Sequence, residues 1–301
     1  MKVFLTTVCL CLVSSFGFSQ ANLLNAKTPA EIGKKTDAQI TADNDKPLPY
    51  GYIGDRDVLM GRKVWELIDL DERINFPLYF PIEENVGSNR KSLYQVLFEG
   101  VKDSTVSEIY DDSYFTVKKT LKDMASSFTK IDTTSAGIDE MNTDIDAYRS
   151  GKKKISEEYI TRRDIKAIDV SGYKIVGYWF FDKRQGEMKY RMLGLCPVVP
   201  DIYTMDSEEK DYIELFWVYF PAVRDLLHKY TAFNERNSAM SITFDHLLNS
   251  RRFNGVIYKE ENVYGDRLIE DYLKDNAQMQ LLESERVKDK IRNFEQDMWN
   301  Y

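Results

Sequence analysis

Few side chains in this chain are suited to chemistry, and they are scattered. Past residue 20 there are two histidines, His228 and His246, and one cysteine, Cys196. A structural or catalytic metal centre needs three or four ligands at short, regular separations, as in H-E-x-x-H or paired C-x-x-C. Neither histidine has a second ligand at i+4. Cys196 sits in the apolar run Gly194-Leu195-Cys196-Pro197 with no base near it, the setting of a buried thiol rather than a nucleophile. There is no G-x-S-x-G elbow and no glycine-rich phosphate loop. Asp111-Asp112 has the residue types of a glycosidase pair, but in a chain with 49 acidic residues such pairs are solvated turns. No catalytic, cofactor-binding or metal-binding residues emerge, and no cofactor is expected.

The chemistry that is present concerns export and contact. Lys2 precedes the apolar run Val3 to Val13, and small residues follow in SSFGFSQ. This is the pattern of a signal peptide over residues 1–19, with Ser19 and Gly17 at the two positions a signal peptidase reads. The run is far shorter than the ~20 residues of a spanning helix. Cys9 and Cys11 lie inside it rather than at its cleavage end, which argues against lipidation. Cleavage leaves a single cysteine, so stability rests on a hydrophobic core rather than on disulfides. No later segment is long and apolar enough to insert in a membrane. The net charge of −8 disfavours nucleic acid. The 19 tyrosines suit a core and also the contact surfaces where Tyr is enriched.

These residues must be positioned by a patterned body. Residues 20–55 are polar and proline-punctuated, read as a flexible N-terminal arm that ends in the apolar cluster Leu48-Pro49-Tyr50-Gly51-Tyr52-Ile53. Residues 56–128 form a first α+β half. Its opening, around Trp65-Glu66-Leu67-Ile68, fits helix or strand equally, since Trp65, Ile68, Glu72 and Asn75 share a helical face while VWELIDL suits a strand. Ser92, three residues before Gln95, marks a helix start, and Glu108 to Tyr110 reads as a short strand. Residues 129–155 are a polar insertion or linker, and Ser156 to Ile165 reads as a short helix. The second half, 156–265, holds the clearest signal: Tyr173 to Phe181 and Glu187 to Cys196 as a hairpin across Asp182 to Gly186, with Trp179 on a buried face and Pro197 to Pro200 ending it. Glu214 to Phe220 reads as a strand, and Pro221 opens a helix with Val223, Leu226, Leu227, Tyr230 and Phe233 on one face. Residues 266–301 read as a long C-terminal helix whose Val287, Ile291, Phe294 and Met298 dock on the body.

"FPLYFP" near residue 76 and "FWVYFP" near residue 216 are so alike that a duplicated packing unit explains them better than a duplicated cofactor site. Ser92 to Tyr110 and Ser241 to Tyr258 repeat the same order of segments, and each "YFP" is expected to mark a strand entering a helix. The expected fold is α+β: a mixed antiparallel sheet with flanking helices, a possible internal pseudo-duplication and a long C-terminal helix.

Trp65 to Pro81, W-E-L-I-D-L-D-E-R-I-N-F-P-L-Y-F-P, resembles the N-terminal signature of the GldN family, called PorN in non-gliding bacteria. Gly172 to Phe181, Gly194 to Pro200, Phe216 to Pro221 and Leu247 to Tyr258 agree in order, over roughly residues 56–275. The 129–155 insertion is not part of that pattern. The resemblance implies a non-enzymatic periplasmic subunit of the type IX secretion and gliding machinery, at the inner face of the outer membrane. It implies a ring built with the lipoprotein GldK (PorK) and with neighbouring copies, and the inner-membrane proteins GldL and GldM in the adjoining part of the machine. The alternative is a periplasmic enzyme or small-ligand-binding protein of unknown substrate. Candidate partner-binding residues are Tyr50, Tyr52 and Ile53 at the end of the arm, and Trp299 and Tyr301 at the C-terminus. The mature chain is expected to begin at Gln20 or Ala21. N-terminal sequencing of the exported protein checks this, and a mature chain still starting at Met1 overturns the compartment.

Overall fold

The structure is a computed structural model, which describes residues 46–83, 86, 90–143, 145, 156–233, 242–274 and 276–299. The signal segment, the arm up to residue 45, most of 144–155 and Tyr301 lie outside the described residues. In chain order the first elements are β1 (Val58–Asp69), α1 (Phe76–Tyr79), α2 (Leu93–Lys102), β2 (Ile109–Tyr110), β3 (Lys118–Lys119) and α3 (Leu121–Phe128). Next come β4 (Thr129–Thr133), α4 (Ser135–Thr143), β5 (Ile160–Asp164), β6 (Gly172–Asp182), β7 (Glu187–Pro200), β8 (Tyr212–Glu214) and β9 (Trp217–Tyr219). The chain closes with α5 (Phe220–Lys229), β10 (Thr231–Ala232), β11 (Ile242–Thr243), α6 (Phe244–Asn249), β12 (Val256–Glu260), α7 (Ile269–Tyr272) and α8 (Ala277–Trp299). The α+β architecture is as the sequence implies.

The β6–β7 hairpin is the centre of the main sheet, whose order is β12-β1-β6-β7-β9-β2-β3 with β8 against β7. Every pairing in it is antiparallel. β1 resolves the ambiguity at Trp65: it is a strand, paired along its length with β6 and over Val64 to Leu67 with β12. Val64, Trp65 and Glu66 are all buried, because the strand is covered on both faces, and two-sided burial erases the alternation that identifies a strand. β7 runs on through Pro197 to Pro200 instead of ending at Cys196, because β8 pairs with Val198 to Pro200. The expected single strand Glu214 to Phe220 is broken into β8 and β9 at Leu215-Phe216, both buried.

Residues directly across a pairing share a face. On one face Ile68, Tyr173, Ile175, Leu195 and Val218 pack under α2, α5 and α6 in the main core. On the same face, toward β12, α8 docks Val287 and Ile291 onto Val64, Ile257 and Ile269. Trp179 is half-buried there rather than buried, lying 5.0 Å from the Tyr190 ring. The opposite face gathers Trp65, Val176, Cys196, Trp217 and Tyr110, with Phe115 from the β2–β3 loop over them. α5 ends at Lys229, so Tyr230 and Phe233 lie beyond it and Phe233 is exposed.

Other local readings shift. Ser92 caps α2 by accepting from Gln95 N, whereas the Gln95 side chain turns to Glu99, so only half the capping box forms. Ser156 to Ile165 is not a helix: after one 3-10 turn it becomes β5, paired with β4, and every β5 residue is exposed. The two "YFP" triplets are not equivalent. Tyr219-Phe220-Pro221 passes from β9 into α5, as expected, while Tyr79-Phe80-Pro81 leaves the turn α1 through a cis Phe80–Pro81 bond. Both halves run from a strand through helices to another strand, β1 to β2 and β9 to β12, but the second also carries β10 and β11 between its helices. Yet β12 lies beside β1, and β2 beside β9.

The segments that carry the family resemblance are stitched together by polar groups. Glu66 is 1 % exposed in the middle of β1 and accepts from Arg251 Nη2 at 2.7 Å. The Arg251 guanidinium lies over the rings of Tyr190 (4.1 Å), Trp179 (5.1 Å) and Phe253 (5.2 Å). Arg251 has φ 51°, a left-handed position that a non-glycine residue holds only when its contacts insist on it. At Gly255 a Cβ would stand 2.9 Å from Glu66 Oε2, so the carboxylate fits only against glycine. Buried Asn75 donates to Asp69 O and Asn254 O and accepts from Asn254 N. Arg251→Met leaves a buried carboxylate alone and is expected to cost about 3–5 kcal/mol. Glu66→Met with Arg251→Met should recover most of that loss in chemical denaturation. A double variant as unstable as the single one would show that the pair's charges are not the cause.

Candidate functional site

The site assembles at the tip of the β6–β7 hairpin. Asp182, paired with Glu187, starts a turn whose last residue, Gly186, has φ 67°, a conformation that favours glycine. Asp182 is 1 % exposed; it accepts from Arg184 N at 3.0 Å and from Lys189 Nζ at 3.2 Å. Burial pushes its carboxyl up, but these donors and the two cations outweigh burial and hold it below the usual carboxylate range. Arg184 also reaches Asp57 at 3.2 Å, tying the tip to the start of β1.

Against this tip lies the end of the N-terminal arm. Tyr50 is held between two guanidinium groups, Arg191 at 4.5 Å and Arg224 at 4.2 Å, and its hydroxyl donates to Asn249 Oδ1 at 2.8 Å. Arg224 is fixed by Asp245 through two bonds, Nε to Oδ1 at 2.7 Å and Nη2 to Oδ2 at 3.1 Å. Burial pushes the Tyr50 hydroxyl up, so it stays a donor. The arm's main chain is gripped as well. Arg224 donates to Leu48 O at 2.8 Å, Arg191 to Gly51 O at 3.2 Å and Arg184 to Tyr52 O at 2.8 Å. Together these groups wall a cleft of about 640 Å³.

The candidate residues thus converge. Tyr50 is a half-buried anchor, and Ile53 is half-buried beside it. Tyr52 is 86 % and Leu48 77 % exposed, their side chains turned away from the body. Trp299, 71 % exposed at the end of α8, donates from Nε1 to Gly186 O at 2.9 Å. Glu295 of the same helix accepts from Met188 N at 3.0 Å. Both ends of the described chain therefore meet on one hairpin tip. Tyr301 lies outside the described residues. Sequence reasoning missed Arg184, Arg191 and Arg224, three isolated arginines whose common target is visible only once distant segments are adjacent. Asp245 and Asn249, one helical turn apart, gave a faint local signal.

The arrangement grips a peptide backbone; it holds no nucleophile with a base. Cys196 is fully buried, and burial pushes its thiol well up, away from reactivity. Among the described residues no cluster of His, Cys, Asp and Glu is arranged to hold a metal, and no helix is long and apolar enough to cross a membrane. The family described as gliding motility associated protein GldN matches residues 53–300. This chain belongs to the GldN family. Its association with gliding motility follows from that membership. The match begins at Ile53, so the two sides of the Glu66–Arg251 pair and all three clamp arginines fall within the GldN match, while Tyr50 and Tyr52 lie just before it. No curated protein matches the chain.

Tyr50→Ala should free the arm without unfolding the body. Its two cation–π contacts and one hydrogen bond total roughly 2 kcal/mol. Limited proteolysis within residues 46–54 should then run about thirtyfold faster, since cleavage follows the open population. An unchanged rate would show that Tyr50 does not hold the arm.

Proposed function

We propose that this GldN-family chain is a non-enzymatic structural subunit of the periplasmic ring of the type IX secretion and gliding machinery, exported by its signal peptide. In this reading it assembles with the lipoprotein GldK (PorK), which holds it at the inner face of the outer membrane, and with neighbouring copies. GldL and GldM, in the inner membrane, are further candidates for contact. The observation that carries the reading is the hairpin tip: both ends of the described chain are fastened there, which leaves Leu48 and Tyr52 exposed at a cation-lined cleft and Trp299 exposed beside the turn. Exposed aromatics on a rigid support suit protein contacts.

The test is capture of tagged protein and its partners from envelope extracts. Deleting residues 21–47 should leave capture of the lipoprotein intact. Deleting residues 48–53 together with Trp299→Ala should lower it about tenfold or more, the scale of one lost anchor residue, with circular dichroism unchanged. Full capture and normal secretion in the second variant would move the partner contact elsewhere. Loss of every partner, with a sugar or peptide bound in the cleft instead, would favour a periplasmic ligand-binding protein.

A further inference from the structure

The cleft at the hairpin tip is shaped by the body, independently of the arm that fills it. Arg224 is held by Asp245 through two bonds, at 2.7 Å and 3.1 Å. Arg191 lies over the Phe180 ring at 5.8 Å, and Arg184 pairs with the buried Asp182 at 3.5 Å. Asn249 donates through Nδ2 to Asp245 O at 2.9 Å and to Asp245 Oδ1 at 2.8 Å. That fixes its amide with Oδ1 free to accept, and Oδ1 is the atom that takes the Tyr50 hydroxyl. A cleft whose polar groups are already oriented loses little order on binding.

What the cleft reads is narrow. The arginines take the carbonyls of Leu48, Gly51 and Tyr52, groups that any extended peptide offers. Tyr50 is read by its side chain, the ring by two guanidinium groups and the hydroxyl by Asn249. Phenylalanine there would leave the Asn249 acceptor unmet. The neighbours are not read: Leu48 and Tyr52 turn away into water, and a Cβ added at Gly51 would meet nothing within 4 Å. The ligand class is therefore an extended segment carrying one tyrosine, here stiffened by the preceding Pro49. All these contacts fall on residues 48–52, so the same segment from any copy of the chain satisfies them equally.

We infer that this cleft is a receptor for a tyrosine-bearing extended peptide, and that in the assembly it takes residues 48–52 of a second copy in exchange for its own. The inference rests on the reading above that copies meet in one assembly, and names the segment that passes between them. Two features favour exchange. The hold on the arm is modest, polar grips and one ring, so the arm belongs to the easily opened parts of the structure. In its own cleft the arm also leaves Leu48 and Tyr52 in water. An arm that bridges two copies places those side chains at the junction, where a second surface can cover them. Because every contact is kept when the arm changes copies, exchange costs little beyond association and the ordering of the link to β1.

Two variants of the mature protein divide the contact. Tyr50→Ala keeps the cleft and loses the ligand. Arg191→Glu keeps the ligand and loses the cleft, with Arg191→Gln in its place should the glutamate alter circular dichroism. Differently tagged copies of the two should capture each other about tenfold or more better than either captures its own kind, since one has an open cleft and the other a free arm. A synthetic peptide of residues 46–53 should bind the Tyr50→Ala protein, and bind about thirtyfold more weakly when its own tyrosine is alanine. In otherwise unaltered protein, mixed from isotopically light and heavy copies, a photo-reactive residue at position 52 should cross-link across copies to the β6–β7 turn. A peptide that does not bind, variants that ignore each other, or cross-links confined to one copy would overturn the inference. Lipoprotein capture is measured alongside. Retained capture without exchange sinks this inference and leaves the ring reading standing, while exchange without capture supports this inference and counts against the lipoprotein reading alone.

Discussion

A carboxylate in the middle of a buried strand constrains this fold more than any other single group. Glu66 points to the helical side of β1, where hydrocarbon would ordinarily lie, and is 1 % exposed. An ionised carboxylate there needs a cation. Arg251 supplies it from the turn after α6, at the cost of a left-handed backbone. To reach Glu66 it must cross the rings of Tyr190, Trp179 and Phe253, which fixes those rings in turn. β12 then leaves the same turn and has little choice but to run beside β1. One ion pair thereby joins β1 to the turn between α6 and β12 and to the rings over the distal half of the hairpin.

The hairpin translates that order into a surface. β1 runs beside β6 along its whole length, β8 and β9 pair only with the proximal part of β7, and the ends of the chain lie against the distal half. The arm is held by arginines on β7, α5 and the turn itself, and α8 is held by Gly186 and Met188. Guanidinium groups suit this task because their donors can grip a carbonyl while their planes stack on a ring. Arg191 and Arg224 do both to the arm, which explains how a polar, proline-rich segment acquires a fixed place with so little apolar burial.

How much of this was legible in the sequence depended on how local the signal was. The β6–β7 hairpin and the cap at Ser92 are written in adjacent residues and were read correctly. α8 docks Val287 and Ile291 as their spacing implied. β1 was ambiguous because burial on both faces hides its period. β5 was misread because its strand character comes from pairing with β4, not from its own exposed residues. The cap of α6 is Thr243, which accepts from His246 N, and Ser241 lies outside the described residues. At the hairpin tip, Tyr50, Tyr52, Ile53 and Trp299 stood out in the sequence as candidates, whereas the arginines that hold the arm did not. Those arginines lie 132, 140 and 176 residues along the chain from the arm carbonyls they bind.

The crossed pairing of the two halves also bears on how the chain reaches this structure. A chain that emerges N-terminus first, from a ribosome or through a membrane, presents β1 long before its neighbours. Its inner neighbour, β6, lies more than a hundred residues downstream, and its outer neighbour, β12, nearly two hundred. β2 likewise waits for β9. The β6–β7 hairpin and its neighbours β8 and β9 pair locally, but closing the rest of the sheet requires loop closure over most of the sequence. Completion of the sheet is therefore held back until almost the whole chain is present, and β1 stays unpaired for much of that passage.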